Sequence, residues 1–220
     1  TYKRFVGEKD NKMGYIEEVP LVLPGENEVL VKMAFAPLNP FDLGVMYGWY
    51  SEEKGKTTIG LEGSGEIVAI GTNLKSPHKV GDKVHVYAFG TWGQYLLAPS
   101  DRVFPIIDNI SMEEAASHII NPGTVMLMAR LAEQGKHKAA INTVGSSSLG
   151  RMLIRLFKSR GIKLINIVRK EKYVKELLQE GADYVLVSTE PDFEKKLEEI
   201  AKKEQATVTF DALGGDHTGK

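Results

Sequence analysis

Apolar and polar positions change their period once along this chain. Up to about residue 110 the apolar residues come in short alternating runs broken by glycine, proline and asparagine, the pattern of strands joined by turns. In "NEVLVKMAFAPLNP", Val29, Val31, Met33 and Phe35 fall on one face of a predicted strand. "GLEGSGEIVAIG" and "VGDKVHVYAFGTWGQYLLAP" read as glycine-punctuated strands, which suit a folded-over barrel in which backbones approach closely. "FDLGVMYGWY" predicts a short helix entered through Asn39-Pro40, because proline fits the first helical turn. Asp82 in "VGDKV" reads as a turn residue, since Gly-Asp is strong turn chemistry.

The period changes near residue 111. "SMEEAASHIINPGTVMLMARL" opens with Ser111 and Glu114, a capping box, and continues as a helix. Residues 138–144 predict a strand. Leu149, Met152, Leu153, Leu156 and Phe157 then recur at the spacing of a core-facing helix. "KLINIV", "DYVLV" and "ATVTF" predict three more strands, separated by helices over 173–179 and 193–203. Four strands with intervening helices make a parallel, right-handed βαβ succession. The expected fold class is therefore α/β: a β-rich, barrel-type domain over 1–110, then a Rossmann-type parallel sheet domain over 111–220.

Bulk properties narrow the function. The 220 residues are 42% hydrophobic and 26% charged, ordinary for a globular protein. A net charge of −1 gives no electrostatic case for nucleic acid. No apolar run approaches a membrane span, and the expected compartment is the cytoplasm or the mitochondrial matrix. With no cysteine in the chain, disulfides and thiolate metal sites are excluded. His78, His85, His118, His137 and His217 are scattered without a ligand spacing, so no metal is expected.

The stretch "INTVGSSSLGRMLIRLFKSRG" bears on cofactor binding. A pyrophosphate can rest on the N–H groups at a helix N-terminus. The usual fingerprint has three glycines: for the tight turn, for close backbone approach and for helix–strand packing. Here Gly145 and Gly150 hold the outer places and Ser147 the middle one, with Ser146, Ser148 and Leu149 between. The Ser147 hydroxyl could itself donate to a phosphate oxygen. Many βα turns carry two glycines and no ligand, so this motif alone leaves both readings open.

The end of the second strand adds to it. Sites for NAD place an acidic residue about 20 residues past the glycines, on the ribose 2′-hydroxyl. This chain has "NIVRKEK", with Arg169 and Lys170 in that place. A basic pair suits a 2′-phosphate, so the expected cofactor is NADPH rather than NADH. The other reading is a solvated helix start, but cations there oppose the helix dipole.

With these motifs in order, the chain resembles the medium-chain dehydrogenase/reductase superfamily, in its zinc-independent branch of quinone oxidoreductases and 2-enoyl thioester reductases. The pieces that carry the resemblance are "LNPFDLGVMYGWY", "GLEGSGEIVAIG", "VGDKVHV", "NPGTVMLMARL", "VGSSSLGRMLIRLFKSRGIKLINIVR" and "TFDALGGD". It implies a partly closed, GroES-like β-barrel catalytic domain and a Rossmann domain for NADPH. Zinc-dependent relatives place a histidine before the glutamate where this chain has Leu61 before Glu62, and they use cysteines that are absent here. The resemblance therefore implies hydride transfer to a quinone, or to an α,β-unsaturated carbonyl or enoyl thioester, without zinc. It assigns the acidic tyrosine to Tyr50, with Tyr47 as second choice, and gives Asn39 a part in orienting cofactor or substrate. It places Thr124 of "NPGTV" beside the cofactor. The competing view of Tyr50 and Trp49 is that they only pack over the mouth of the site.

Relatives of this kind continue beyond "DALGGDHTGK" with two further Rossmann strands, so the expected sheet lacks its last strands and "ATVTF" lies at an edge. That edge suits a homodimer or docking to a larger complex. It also leaves a second function class open: a catalytically inactive, truncated paralogue serving as a structural subunit of a larger assembly, mitochondrial or otherwise.

Overall fold

The computed structural model describes residues 1–8, 12–50 and 55–215. His217 lies outside the described residues. The chain divides into two compact units, Thr1–Ile120 and Asn121–Lys220. The expected division stood at residue 110. The short helix α2 (Met112–Ala115) instead contacts strands of the first unit, and the Ser64 hydroxyl donates to the carbonyl of Met112.

The first unit is built from antiparallel strands. A five-stranded sheet has the order β7-β3-β5-β6-β8, from β3 (Glu28–Phe35), β5 (Glu62–Ile70), β6 (Lys83–Tyr87), β7 (Tyr95–Pro99) and β8 (Val103–Pro105). A three-stranded sheet, β2-β1-β4, joins β1 (Tyr2–Glu8), β2 (Met13–Val19) and β4 (Lys56–Thr58). The two sheets meet where Arg4 bridges Gly93 and Phe5 N–H donates to the Trp92 carbonyl at 2.8 Å, the partial closure that a GroES-like barrel requires.

Val29, Val31, Ile67, Val84 and Val86 are fully buried in this sheet's core, as alternation demands. Met33 packs against them, but Phe35 is exposed and Leu30 is buried. The cause is a register shift: Met33 faces Gly65 while Phe35 faces Ser64, so two residues of β3 advance for one of β5. Such a bulge takes Phe35 out of the alternation. Asp82 is the expected turn residue, its carboxylate accepting from Lys79 N–H at 2.9 Å.

The second unit holds a parallel sheet of order β11-β10-β9-β12. Its strands are β9 (Ala139–Asn142), β10 (Lys163–Val168), β11 (Tyr184–Val187) and β12 (Ala206–Phe210). In order of sequence this is 3-2-1-4, the first part of the doubly wound arrangement. Helices α4 (Ser148–Arg160), α5 (Val174–Glu180) and α6 (Phe193–Glu204) connect the strands. On α4 Leu153 and Phe157 are fully buried, with Leu149, Met152 and Leu156 packed around them; Ile154 joins this core as well. Each such burial is worth about 1.5–3 kcal/mol.

Two amides sit in the interior of this sheet. Asn142 on β9 and Asn166 on β10 face each other in register and are buried. Asn142 Nδ2 donates to Asn166 Oδ1 at 3.2 Å, and Asn166 Nδ2 reaches the Tyr184 carbonyl at 3.4 Å.

The predicted helix from residue 111 is two helices. The capping box forms, with Glu114 N–H donating to Ser111 Oγ at 3.2 Å and Ser111 N–H to Glu114 Oε2 at 3.0 Å. The first helix nevertheless ends at Ala115, and α3 (Ile120–Gln134) starts anew. Asn121-Pro122-Gly123 lies in the first turn of α3, where proline lacks nothing the helix needs. Among the described residues no helix is long and apolar enough to cross a membrane.

Candidate functional site

Helix α1 (Pro40–Met46) starts as the sequence predicts, with Asn39 at the N-cap and Pro40 at the first helical position. Asn39 N–H donates to Asp42 Oδ2 at 2.8 Å, which fixes the entry to the helix. The Asn39 side chain points back to the sheet. Its Nδ2 donates to Glu62 Oε1 at 2.9 Å, and the other carboxylate oxygen accepts from Ile119 N–H at 3.2 Å and Ile120 N–H at 2.9 Å. Glu62 is 1% exposed and Asn39 9%. Sequence reasoning left Glu62 without a role beyond its motif. The available signal was an acidic residue within the small-residue run "GLEGSG", where a strand interior has little room for an unpaired charge.

Asp42 is also buried. Burial pushes its carboxyl above the usual aspartate range; the Asn39 N–H pulls it back, and the negative Glu62 nearby adds to the rise. A raised value means that the folded chain holds this proton more tightly than the unfolded one. The group's stabilising contribution is thus complete below the ordinary aspartate range and is lost as pH rises through its raised value. Asp42→Asn keeps an acceptor for Asn39 N–H and removes the buried charge. Urea melts at pH 4 and pH 7 should show the variant equal to or more stable than the parent at pH 7, with a flatter pH dependence.

Tyr50 lies past the end of α1 and is 61% exposed. Its ring stacks on Phe41 with centroids 4.7 Å apart, and Phe41 in turn lies 6.3 Å from Phe89. A side chain on Gly44 would stand 2.4 Å from the Tyr50 ring, so the bare backbone there lets the ring lie against the helix. Tyr47, at the C-cap of α1, is half-buried and packs at 5.6 Å from Trp49.

His78 donates to the Ser100 carbonyl at 2.9 Å, and His137 shares a 2.6 Å bond with Thr207. His85 is half-buried against Phe104. Burial pushes its imidazole down, nearby His118 adds to this, and Glu62 opposes it.

In the second unit the glycine turn joins β9 to α4. Gly145 N–H donates to the Ile167 carbonyl at 3.0 Å, and a Cβ on Gly145 would stand 2.8 Å from that of Asn166. A Cβ on Gly150 would lie 2.5 Å from the carbonyl oxygens of both Val144 and Gly145. Gly145 lets the turn pack against β10, and Gly150 lets the first turn of α4 close on the turn that precedes it. Ser147 is the N-cap of α4: its Oγ accepts from Gly150 N–H at 3.0 Å and donates to the Val144 carbonyl at 2.8 Å. The hydroxyl proton expected for a phosphate oxygen is thus already used. What the turn offers an anion is the first-turn N–H groups of α4, around Ser148 and Leu149, which a helix leaves without intrahelical partners. Gly150→Ala is expected to destabilise the chain by about 1–3 kcal/mol, checked by urea melts.

Arg169 and Lys170 follow the last residue of β10 and are exposed. Among the described residues neither forms an ion pair, while the other basic residue of this sheet end, Lys172, lies 4.9 Å from the Tyr173 ring. Thr124 lies in the first turns of α3.

Known proteins give this arrangement a context. Residues 25–108 match the alcohol dehydrogenase GroES-like domain family. A mitochondrial enoyl-[acyl-carrier-protein] reductase of Caenorhabditis elegans is 34% identical over 181 residues, which are 79% of this chain and 52% of that protein. Over most of its own length the chain is thus similar to that enoyl reductase. The reductase of the same name from Xenopus tropicalis is 29% identical over 212 residues, 92% of this chain and 60% of its own. The Escherichia coli quinone oxidoreductase, solved in complex with NADPH, superposes with a TM-score of 0.87 at 24% identity, covering 97% of this chain and 67% of that one. This last likeness speaks for the fold. The chain spans about half the length of the curated reductases it matches.

Proposed function

We propose that this protein binds NADPH and, without zinc, passes hydride to a carbon conjugated with a carbonyl, an enoyl thioester before a quinone. The observation that carries the reading is the exposed pair Arg169 and Lys170 at the end of β10, without an ion pair among the described residues. In folds of this strand order a ribose 2′-phosphate is recognised at that place. When bound, NADPH supplies the hydride.

The residues of the chain would do the rest. First-turn N–H groups of α4 hold the pyrophosphate, Gly145 and Gly150 keep the turn close to the helix, and Arg169 and Lys170 pair with the 2′-phosphate. Thr124 lies beside the cofactor in this reading. As hydride adds to the conjugated carbon, negative charge gathers on the carbonyl oxygen. The Tyr50 hydroxyl stabilises that oxygen by donating a hydrogen bond and then its proton. Asn39 orients the reacting end.

The curated relatives support the thioester over the quinone, since enoyl-[acyl-carrier-protein] reductases are prominent among the most similar of them in sequence. They are also named as mitochondrial, which favours the matrix over the cytoplasm. The deciding experiment is turnover of a 2-enoyl thioester and of a quinone with NADPH. Activity with neither, alongside tight NADPH binding, would leave the structural-subunit reading in its place.

A further inference from the structure

Helix α1 ends with the chain turning back on itself. Tyr47 N–H donates to the Leu43 carbonyl at 2.9 Å, Gly48 N–H to that of Val45 at 3.1 Å and Trp49 N–H to that of Gly44 at 2.8 Å. Gly48 has a φ of 74°, the left-handed conformation that such a closure needs and that glycine takes without strain. The turn lays Trp49 and Tyr50 back across the helix they have just left. Both rings come down on Gly44, which is buried inside α1. A Cβ there would stand 2.4 Å from Tyr50 Cε2, 3.1 Å from Tyr50 Cζ, which carries the hydroxyl, and 3.1 Å from Trp49 Cε3. Gly44 thus has two uses: its carbonyl receives the returning backbone, and its bare Cα receives the ring. One turn earlier Phe41 stacks on the same Tyr50 ring with centroids 4.7 Å apart.

We propose that Gly44 is a positioning residue for the Tyr50 hydroxyl, with Phe41 as the second wall of the seat. This rests on the reading above that Tyr50 donates to the substrate oxygen. Glycine inside a helix is less stable than alanine, and the backbone of Gly44, unlike that of Gly48, is one that alanine can adopt. Folding α1 therefore does not call for a glycine here; the Tyr50 ring does. Tyr50 is mostly exposed, so a Cβ at residue 44 would push its ring outward and leave the helix formed. The ring has to retreat by about 1 Å to reach an ordinary carbon–carbon distance, and the hydroxyl at its end goes with it. A proton donor displaced that far no longer lines up with the oxygen it serves.

Gly44→Ala tests this with a single methyl group. The variant should melt no more than about 3 °C below the parent and lose the nuclear Overhauser contacts between the Tyr50 and Phe41 rings. Its kcat with a 2-enoyl thioester should fall by about thirtyfold, while NADPH affinity by fluorescence titration stays within about twofold. The decisive comparison is the cycle with Tyr50→Phe. If Gly44 acts only through the hydroxyl, Gly44→Ala should cost less than about twofold in kcat once that hydroxyl is gone. A residue that merely supported the fold would cost the same in both backgrounds. Phe41→Leu, which takes away the stacked wall, should follow the same pattern with a loss of about fivefold.

A folded Gly44→Ala with parental kcat overturns the proposal, and so does an equal loss with and without the Tyr50 hydroxyl. If Tyr50→Phe loses activity while Gly44→Ala does not, the positioning argument falls and the reading of Tyr50 stands. Parental activity in Tyr50→Phe removes that reading and the proposal with it, as does a parent that turns over no enoyl thioester. Should Gly44→Ala not fold, Phe41→Leu decides by the same cycle, and equal losses in the two backgrounds overturn the proposal.

Discussion

Changing Arg169 and Lys170 together to alanine is expected to weaken NADPH binding by about a hundredfold and to leave NADH binding within about twofold. The two side chains are exposed and form no ion pair among the described residues, so little else is lost with them. A phosphate pairing with two cations gains charge-assisted hydrogen bonds, each worth about 1.5–3 kcal/mol. Partial solvent exposure brings the sum down to about 2.7 kcal/mol, which is a hundredfold. Fluorescence titration with both cofactors measures it. Equal losses for NADPH and NADH would mean that the pair acts on the fold and not on the 2′-phosphate.

The second large effect is expected at Tyr50. Tyr50→Phe keeps the ring that stacks on Phe41 and removes only the hydroxyl. If that hydroxyl stabilises the developing oxyanion and supplies its proton, kcat with a 2-enoyl thioester should fall by about a hundredfold or more. NADPH affinity should stay within about twofold, since the hydroxyl is assigned to the substrate oxygen. A Tyr50→Phe chain as active as the parent would end that assignment. Tyr47, half-buried beside Trp49, would be tested next by the same substitution.

The fold was readable from the sequence where periodicity and burial agree. The four strands of the parallel sheet and the core face of α4 are legible because each needs a continuous apolar surface, and Leu153 and Phe157 supply it. The Asn39-Pro40 entry to α1 was readable from local chemistry. Non-local effects were not. Alternation along β3 gives no sign that Phe35 leaves the core, because the bulge arises from its pairing with β5. The single helix expected after Ser111 breaks at Ala115, and the chain restarts where Glu62, some sixty residues earlier, accepts the N–H groups of Ile119 and Ile120. The glycine turn was legible as a turn, but the use of the Ser147 hydroxyl was not. A serine at an N-cap and a serine aimed at a phosphate look alike until the partner carbonyl of Val144 is seen. Asn39 could be named from its motif, whereas its bond to Glu62 spans 23 positions and leaves no local trace.

The facing amides of Asn142 and Asn166 bear on how the parallel sheet assembles. In an all-aliphatic interior a strand displaced along its neighbour by two places would still pack tolerably, so hydrophobicity alone discriminates weakly between alignments. With one carboxamide on each of the two central strands, any such displacement strands both in a dry environment, at a cost of a few kcal/mol. The pair thus works as a proofreading mark for assembly. Exchanging both for valine should yield a chain that regains secondary structure on refolding but populates several alignments of β9 against β10, visible as multiplied amide resonances.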